Sequence, residues 1–130
     1  MTRENYSSGA PLEEKVGYSR MVKVGNRVLV GGTTSVQLDG SVYGENDAYE
    51  QAKYIFEKQI ALLAEAGAKA SDVIRVDAFV VGMKLCGEVG RAYSEFFKEI
   101  KPLFTAVGTP ELNRPTQLVE ISIEAVVMEE

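Results

Sequence analysis

Val119-Glu120-Ile121-Ser122-Ile123-Glu124-Ala125-Val126-Val127-Met128 is the stretch that decides the fold. Successive side chains of an extended chain point to opposite sides, so Val119, Ile121, Ile123, Ala125 and Val127 share one face, and Glu120, Ser122, Glu124 and Val126 the other. The alternation predicts a strand with one face on a core. Its second face mixes carboxylates and a hydroxyl with an apolar residue.

Three other strand signals surround it. Val73 to Val81 is β-branched and alternating, with Ile74, Val76, Ala78 and Val80 expected on one face and Phe79 on the other. Tyr18 to Val24 and Arg27 to Thr33 flank Gly25-Asn26, a two-residue turn that predicts a hairpin. Thr105 to Thr109 reads as a short strand. Between them lie two amphipathic helices. In the first, from Asp47 to Ala66, Ala48, Ala52, Ile55, Phe56, Gln59, Leu62, Leu63 and Ala66 recur at three- and four-residue spacing, and Gly67 supplies the stop. The second is carried by Val89, Ala92, Tyr93, Phe96, Phe97 and Ile100, with Pro102 beyond its end. Both stripes are expected to be core. Ser35 to Asn46 reads as a long loop.

Two helices cover one face of a four- to six-stranded sheet, which makes the chain an α+β domain. Residues 1–130 are read as one domain, with 1–15 an N-terminal extension. The uncovered sheet face is half apolar, because Phe79 and Val126 join Glu120, Ser122 and Glu124. Large exposed apolar patches are rare on monomers, so this face is expected to pack against another copy of the chain in a closed homo-oligomer.

Composition narrows the chemistry. The sequence has 130 residues, 45% of them hydrophobic, enough for a domain that buries roughly two-thirds of its unfolded surface without a metal or a disulfide. It contains no histidine, which excludes Ser-His-Asp and Cys-His nucleophiles and imidazole metal sites. The single cysteine, Cys86, forms no internal disulfide and no metal framework, and a structural role suits it. No metal or cofactor is therefore expected. Fourteen Lys and Arg against nineteen Asp and Glu leave a net charge of −5 with the basic residues scattered, which disfavours nucleic acid as a partner. No run of about 18 apolar residues exists, and Met1 to Lys15 is polar, so no membrane partner and a cytoplasmic location are expected.

Six segments in order carry a family resemblance: Gly17-Tyr18-Ser19-Arg20, Val28-Leu29-Val30-Gly31-Gly32-Thr33-Thr34, Leu63-Ala64-Glu65-Ala66-Gly67, Val73-Ile74-Arg75-Val76, Tyr93-Ser94-Glu95-Phe96-Phe97, and the strand from Val119 to Val126. From Gly17 to Met128 the chain resembles the Rid/YjgF family. The resemblance implies a chorismate-mutase-like α+β fold assembled as a homotrimer, with ligand clefts between subunits. It also implies a deaminase-type activity, hydrolysis of enamines and imines to ketones and ammonia. In members with that activity an arginine after the second helix grips the substrate carboxylate, a task that suits a bidentate guanidinium. Here that position is Val107, a neighbouring position often cysteine is Thr109, the glutamate thought to place the hydrolytic water is Ser122, and an asparagine near the start of the second helix is Gly90.

The expected ligand site therefore comprises Tyr18, Arg20, Gly31, Gly32, Thr33, Val107, Gly108, Thr109 and Ser122. Arg20, two residues from Tyr18, should share its sheet face and is a candidate substitute cation. Glu120 and Glu124 are candidate general bases, although a hydrogen-bonded structural role competes for Glu124. With valine at 107 the ligand is expected to be neutral, its polar end toward the Gly31 and Gly32 amides and the Thr33 or Thr109 hydroxyls. Three functions compete. The first is a hydrolase of an enamine, imine or related small carbonyl compound with altered recognition, and the second a non-catalytic metabolite-binding or regulatory trimer. The third is a ribonuclease or translation inhibitor, a label historically attached to the family, which the acidic charge makes weakest.

Overall fold

The computed structural model describes residues 1–128. Strand β1 (Arg3–Tyr6) and helix α1 (Pro11–Val16) precede the hairpin β2 (Met21–Val24) and β3 (Arg27–Thr33). Helix α2 (Ala48–Glu65), β4 (Val73–Val81), α3 (Cys86–Phe97), β5 (Leu103–Thr109) and β6 (Val119–Val126) follow. The six strands form one sheet in the order β1-β2-β3-β6-β4-β5. Only β4 and β5 are parallel, and α3 is their crossover.

Asp47 caps α2 by accepting a hydrogen bond from the Glu50 amide, and Gly67, at φ +80°, takes the left-handed turn beyond its end. The buried side of α2, from Ala48 through Ile55 and Phe56 to Leu63, lies against β3 and β6, where Val28, Val30, Ile121, Ile123 and Ala125 point inward. Phe56 meets Phe97 edge-on at 5.3 Å between ring centroids, and Tyr93 stacks on Phe104 at 4.1 Å, which fastens α3 to β5.

Buried glutamines tie the loops to this core. Gln51 Nε2 donates to the carbonyls of Gly44 and Thr116 at 2.9 and 2.8 Å, and its Oε1 accepts from the Leu118 amide at 2.8 Å. Gln117 reaches across to the Thr34 hydroxyl at 3.1 Å. One side chain of α2 thus joins the loop before it to the connection entering β6.

Four expectations change. Residues 1–15, read as an extension, supply edge strand β1, which pairs with β2 from Arg3↔Val24 to Tyr6↔Met21. The strand expected from Tyr18 starts at Met21, because α1 and its left-handed cap Gly17, at φ +96°, occupy the chain just before it. A register irregularity between Val73 and Arg75 turns Ile74 away from the face it was expected to share with Val76. Helix α3 ends at Phe97, ahead of Ile100, and Lys101 adopts a positive φ.

Candidate functional site

The helices leave one sheet face open, and strand register lays the site residues out on it in rows. Val107 of β5 lies directly across from Phe79 of β4, and Phe79 directly across from Glu120 of β6. Val107 is 42% exposed and Phe79 40%. Beyond Glu120 comes the register irregularity of β3 between Val30 and Thr33, where Gly32 faces the carboxylate. A Cβ at Gly32 would collide with the Glu120 carboxylate, so this glycine makes the room in which that group lies. In the next row Ser122 sits across from Asp77.

The third row is an ion cluster. Glu124, 6% exposed, accepts from Arg27 Nε and Nη2 at 3.0 and 2.5 Å and from Arg75 Nη2 at 2.7 Å. The Arg75 and then the Arg27 hydrogen bonds hold its carboxyl below the ordinary glutamate range. A carboxylate clamped in this way is a poor base. The clamp suits the structural role that competes with that of a general base for Glu124.

Arg20 is also engaged. Its Nη1 donates to the Gly32 carbonyl at 2.5 Å, its Nε lies 3.7 Å from Glu13 Oε2, and its guanidinium carbon sits 5.8 Å from the centre of the Tyr18 ring. Burial pushes the Glu13 carboxyl up, but hydrogen bonds from Ser8 and Ser7, with Arg20 nearby, bring it below its usual value. Tyr18 stays 40% exposed. Arg20, Arg75, Asp77, Ser122 and Glu124 line an open hollow of about 320 Å³ on this face, which does not reach Val107, Gly108 or Thr109.

Two of the expected polar anchors are engaged within the chain. The Gly31 amide donates to the Arg20 carbonyl at 2.9 Å, and the Thr33 hydroxyl, 2% exposed, donates to the Gly31 carbonyl at 2.7 Å. Both groups belong to the architecture of the β2–β3 hairpin and neither is free for a ligand. Thr109 keeps its hydroxyl near the surface, with a long 3.3 Å contact to the Glu111 carbonyl. Gly108 lets Met83 lie against β5: a Cβ there would come within 3.2 Å of Met83 Cγ. Gly90 lies within α3, where an added Cβ would meet nothing within 4 Å. Among the described residues, no group of three or more Cys, Asp or Glu side chains is placed to hold a metal ion.

The site residues do not converge within one chain. β2 and β5 stand four places apart in the sheet, about 19 Å at the usual strand spacing. Tyr18 and Arg20 therefore lie at one side of the open face and Val107 to Thr109 at the other. Phe79, which sequence reasoning placed only on the subunit-facing surface, is the residue that joins Val107 to Glu120. Its period-2 position opposite the buried Val80 was the available signal.

A family model described as endoribonuclease L-PSP matches residues 9–127. The chain belongs to that family, also called YjgF or Rid. This Rid chain is 36% identical over 118 residues to an uncharacterised protein of Streptomyces coelicolor, covering 91% of this chain and 87% of that one. The crystal structure of Rv2704 from Mycobacterium tuberculosis, described as a member of the YjgF/YER057c/UK114 family, superposes with a TM-score of 0.86 at 33% identity, over 97% of this chain and 100% of that chain. A 2-iminobutanoate/2-iminopropanoate deaminase of Salmonella typhimurium is 29% identical over 111 residues, 85% of this chain and 86% of that protein. The mixed six-stranded sheet with helices on one face is the α+β architecture of the YjgF structures. Among the described residues, no helix is long and apolar enough to cross a membrane.

Proposed function

We propose that this Rid-family chain binds a small molecule in a cleft completed by a second copy of itself within a homotrimer, and that the ligand is an enamine, imine or related small carbonyl compound lacking a carboxylate. The observation that carries the reading is Val107, exposed and facing Phe79 at the position where the family resemblance puts a carboxylate-binding arginine. A carboxylate held against that pair would lose water without gaining a countercharge. The separation of Tyr18 and Arg20 from Val107 to Thr109 supports the second copy, since one chain cannot bring both groups around one ligand.

The reaction class in this reading is deaminase-type hydrolysis with altered recognition, and Glu120 is the remaining candidate base. A second, non-catalytic reading draws on two observations: Ser122 offers no carboxylate, and Glu124 is clamped by two guanidinium groups. Turnover of a carboxylate-free imine separates the two readings.

Thermal shift with small 2-oxo acids tests the recognition directly, because a ligand of the folded state raises its stability by mass action. The native chain should respond little, and Val107→Arg should gain at least roughly thirtyfold in affinity, the worth of about 2 kcal/mol of charge-assisted bonding. Arg20→Ala should leave the native response to carboxylate-free compounds nearly unchanged. Loss of that response with the assembly intact would make Arg20 the anchor and refute the reading.

A further inference from the structure

Glu120 stands apart from the other charged groups of the open face. Arg20 is held by the Gly32 carbonyl and Glu13, and Arg75 by Glu124 with Asp77 3.9 Å away. The half-buried carboxylate of Glu120 makes no hydrogen bond and no ion pair among the described residues. It nevertheless has a defined seat. Gly32 backs it, with no Cβ to displace it, and Phe79 lies directly across on the neighbouring strand with its ring partly open to solvent. On the far side of Phe79 is Val107.

The row is thus apolar at one end, aromatic in the middle and anionic at the other. A ring face attracts a cation through its quadrupole, and a carboxylate beside it adds a charge-assisted acceptor for an N–H donor. An anionic ligand on the same row would meet repulsion from Glu120. We propose that Glu120 and Phe79 select a ligand bearing a cationic nitrogen, a protonated imine or amine on a small apolar frame without a carboxylate, with the frame against Val107 and the N–H directed at Glu120. This rests on the placement of the ligand against Val107 proposed above and refines it from a neutral compound to a cationic one.

Three probes on one four-carbon frame test it: sec-butylamine, 2-butanone and 2-oxobutanoate, each titrated at neutral pH into the assembled protein while the amide and side-chain resonances of Val107, Phe79 and Glu120 are followed by NMR. The ammonium should bind on the order of tenfold more tightly than the ketone, and the 2-oxo acid most weakly. Glu120→Gln, which keeps shape and removes charge, should abolish that preference, bringing the ratio of ammonium to ketone affinity to about one. Phe79→Leu, which keeps apolar bulk and removes the ring face, should reduce the ammonium affinity selectively. Ketone binding at Val107 with no ammonium preference, or an ammonium affinity unaltered in Glu120→Gln, overturns the cation inference while leaving the site reading standing. If no probe perturbs Val107 or Phe79, the site reading fails and the inference falls with it.

Discussion

Replacing Gln51 by leucine should cost this protein more than its polar character suggests. Gln51 is fully buried and makes three hydrogen bonds of 2.8 to 2.9 Å, two to carbonyls and one from an amide. A leucine of similar volume fills the space, leaves the Leu118 amide without its acceptor, and leaves the Gly44 and Thr116 carbonyls with one donor each, the Asp47 and Asn46 amides. At about 1 kcal/mol net for each bond the loss is about 3 kcal/mol, reduced if the two loop carbonyls turn to water and increased if the Leu118 amide cannot. Urea unfolding at one fixed protein concentration measures it. With a slope near 2 kcal/mol per molar urea, the midpoint should fall by about 1.5 M. Hydrogen exchange at Leu118 should accelerate in parallel, because that amide loses its acceptor. Gln51→Glu should be worse at neutral pH, since it aims a carboxylate at two carbonyl oxygens, and should recover as acid restores a donor to that group. A leucine variant within about 0.5 kcal/mol of the native protein, the range of ordinary surface substitutions, would refute the idea that Gln51 ties the loops to the core.

Two further outcomes are expected. Light scattering should report three times the 14.2 kDa chain mass with no stable monomer, because Leu29, Phe79, Leu103 and Val107 all stand exposed on the open face; a monomer across the micromolar range would defeat this. Glu124 has a folded-state pKa below its unfolded value, so its contribution is present above the ordinary glutamate range near 4.3 and is lost as pH falls through the lowered value. Glu124→Gln should therefore flatten the acid side of the curve of thermal midpoint against pH, and an unchanged acid limb would show the cluster to be inert.

The elements legible in the sequence are those whose burial is written as a period. β6 alternates without interruption, and α2 repeats its apolar residues through five turns, so both were predicted to within about two residues of their ends. β1 carries Arg3, Glu4, Asn5 and Tyr6, a polar edge strand in which only Tyr6 packs on the core, so no apolar alternation marks it. The irregularity at Ile74 was hidden for a related reason: one extra residue reverses the alternation locally, while composition stays the same. Gln51 leaves no mark in the apolar period of α2, because its partners are backbone groups of loops, two of them, Thr116 and Leu118, distant in sequence.

The site was legible only as residue types. Val107, Ser122 and Glu120 could be placed on a sheet face from the sequence, but whether a polar group is free or already bonded depends on its neighbours. The Gly31 amide and the Thr33 hydroxyl proved bonded around the hairpin, while the Glu120 carboxylate has no bonded partner among the described residues. Arg20 illustrates the same point, since its charge is turned onto the Gly32 carbonyl by a strand that starts three residues later than the alternation implied.

The place of β6 has a consequence for how the chain acquires its shape. It is the last of the described strands in chain order yet lies between β3 and β4, pairing with β3 as far upstream as Arg27↔Val126 and with β4 from Val80↔Val119 to Val73↔Ala125. Until it emerges from the ribosome, the β1-β2-β3 ribbon and the β4-β5 pair have no common partner and each presents an open edge. The loop-closure entropy of those distant pairings must be met before either half gains a sheet, so folding should be slow for a chain of this size and close to all-or-none. A nascent chain halted at the connection before β6 would expose two unfinished edges at once, the species most prone to pair with its neighbours on a polysome.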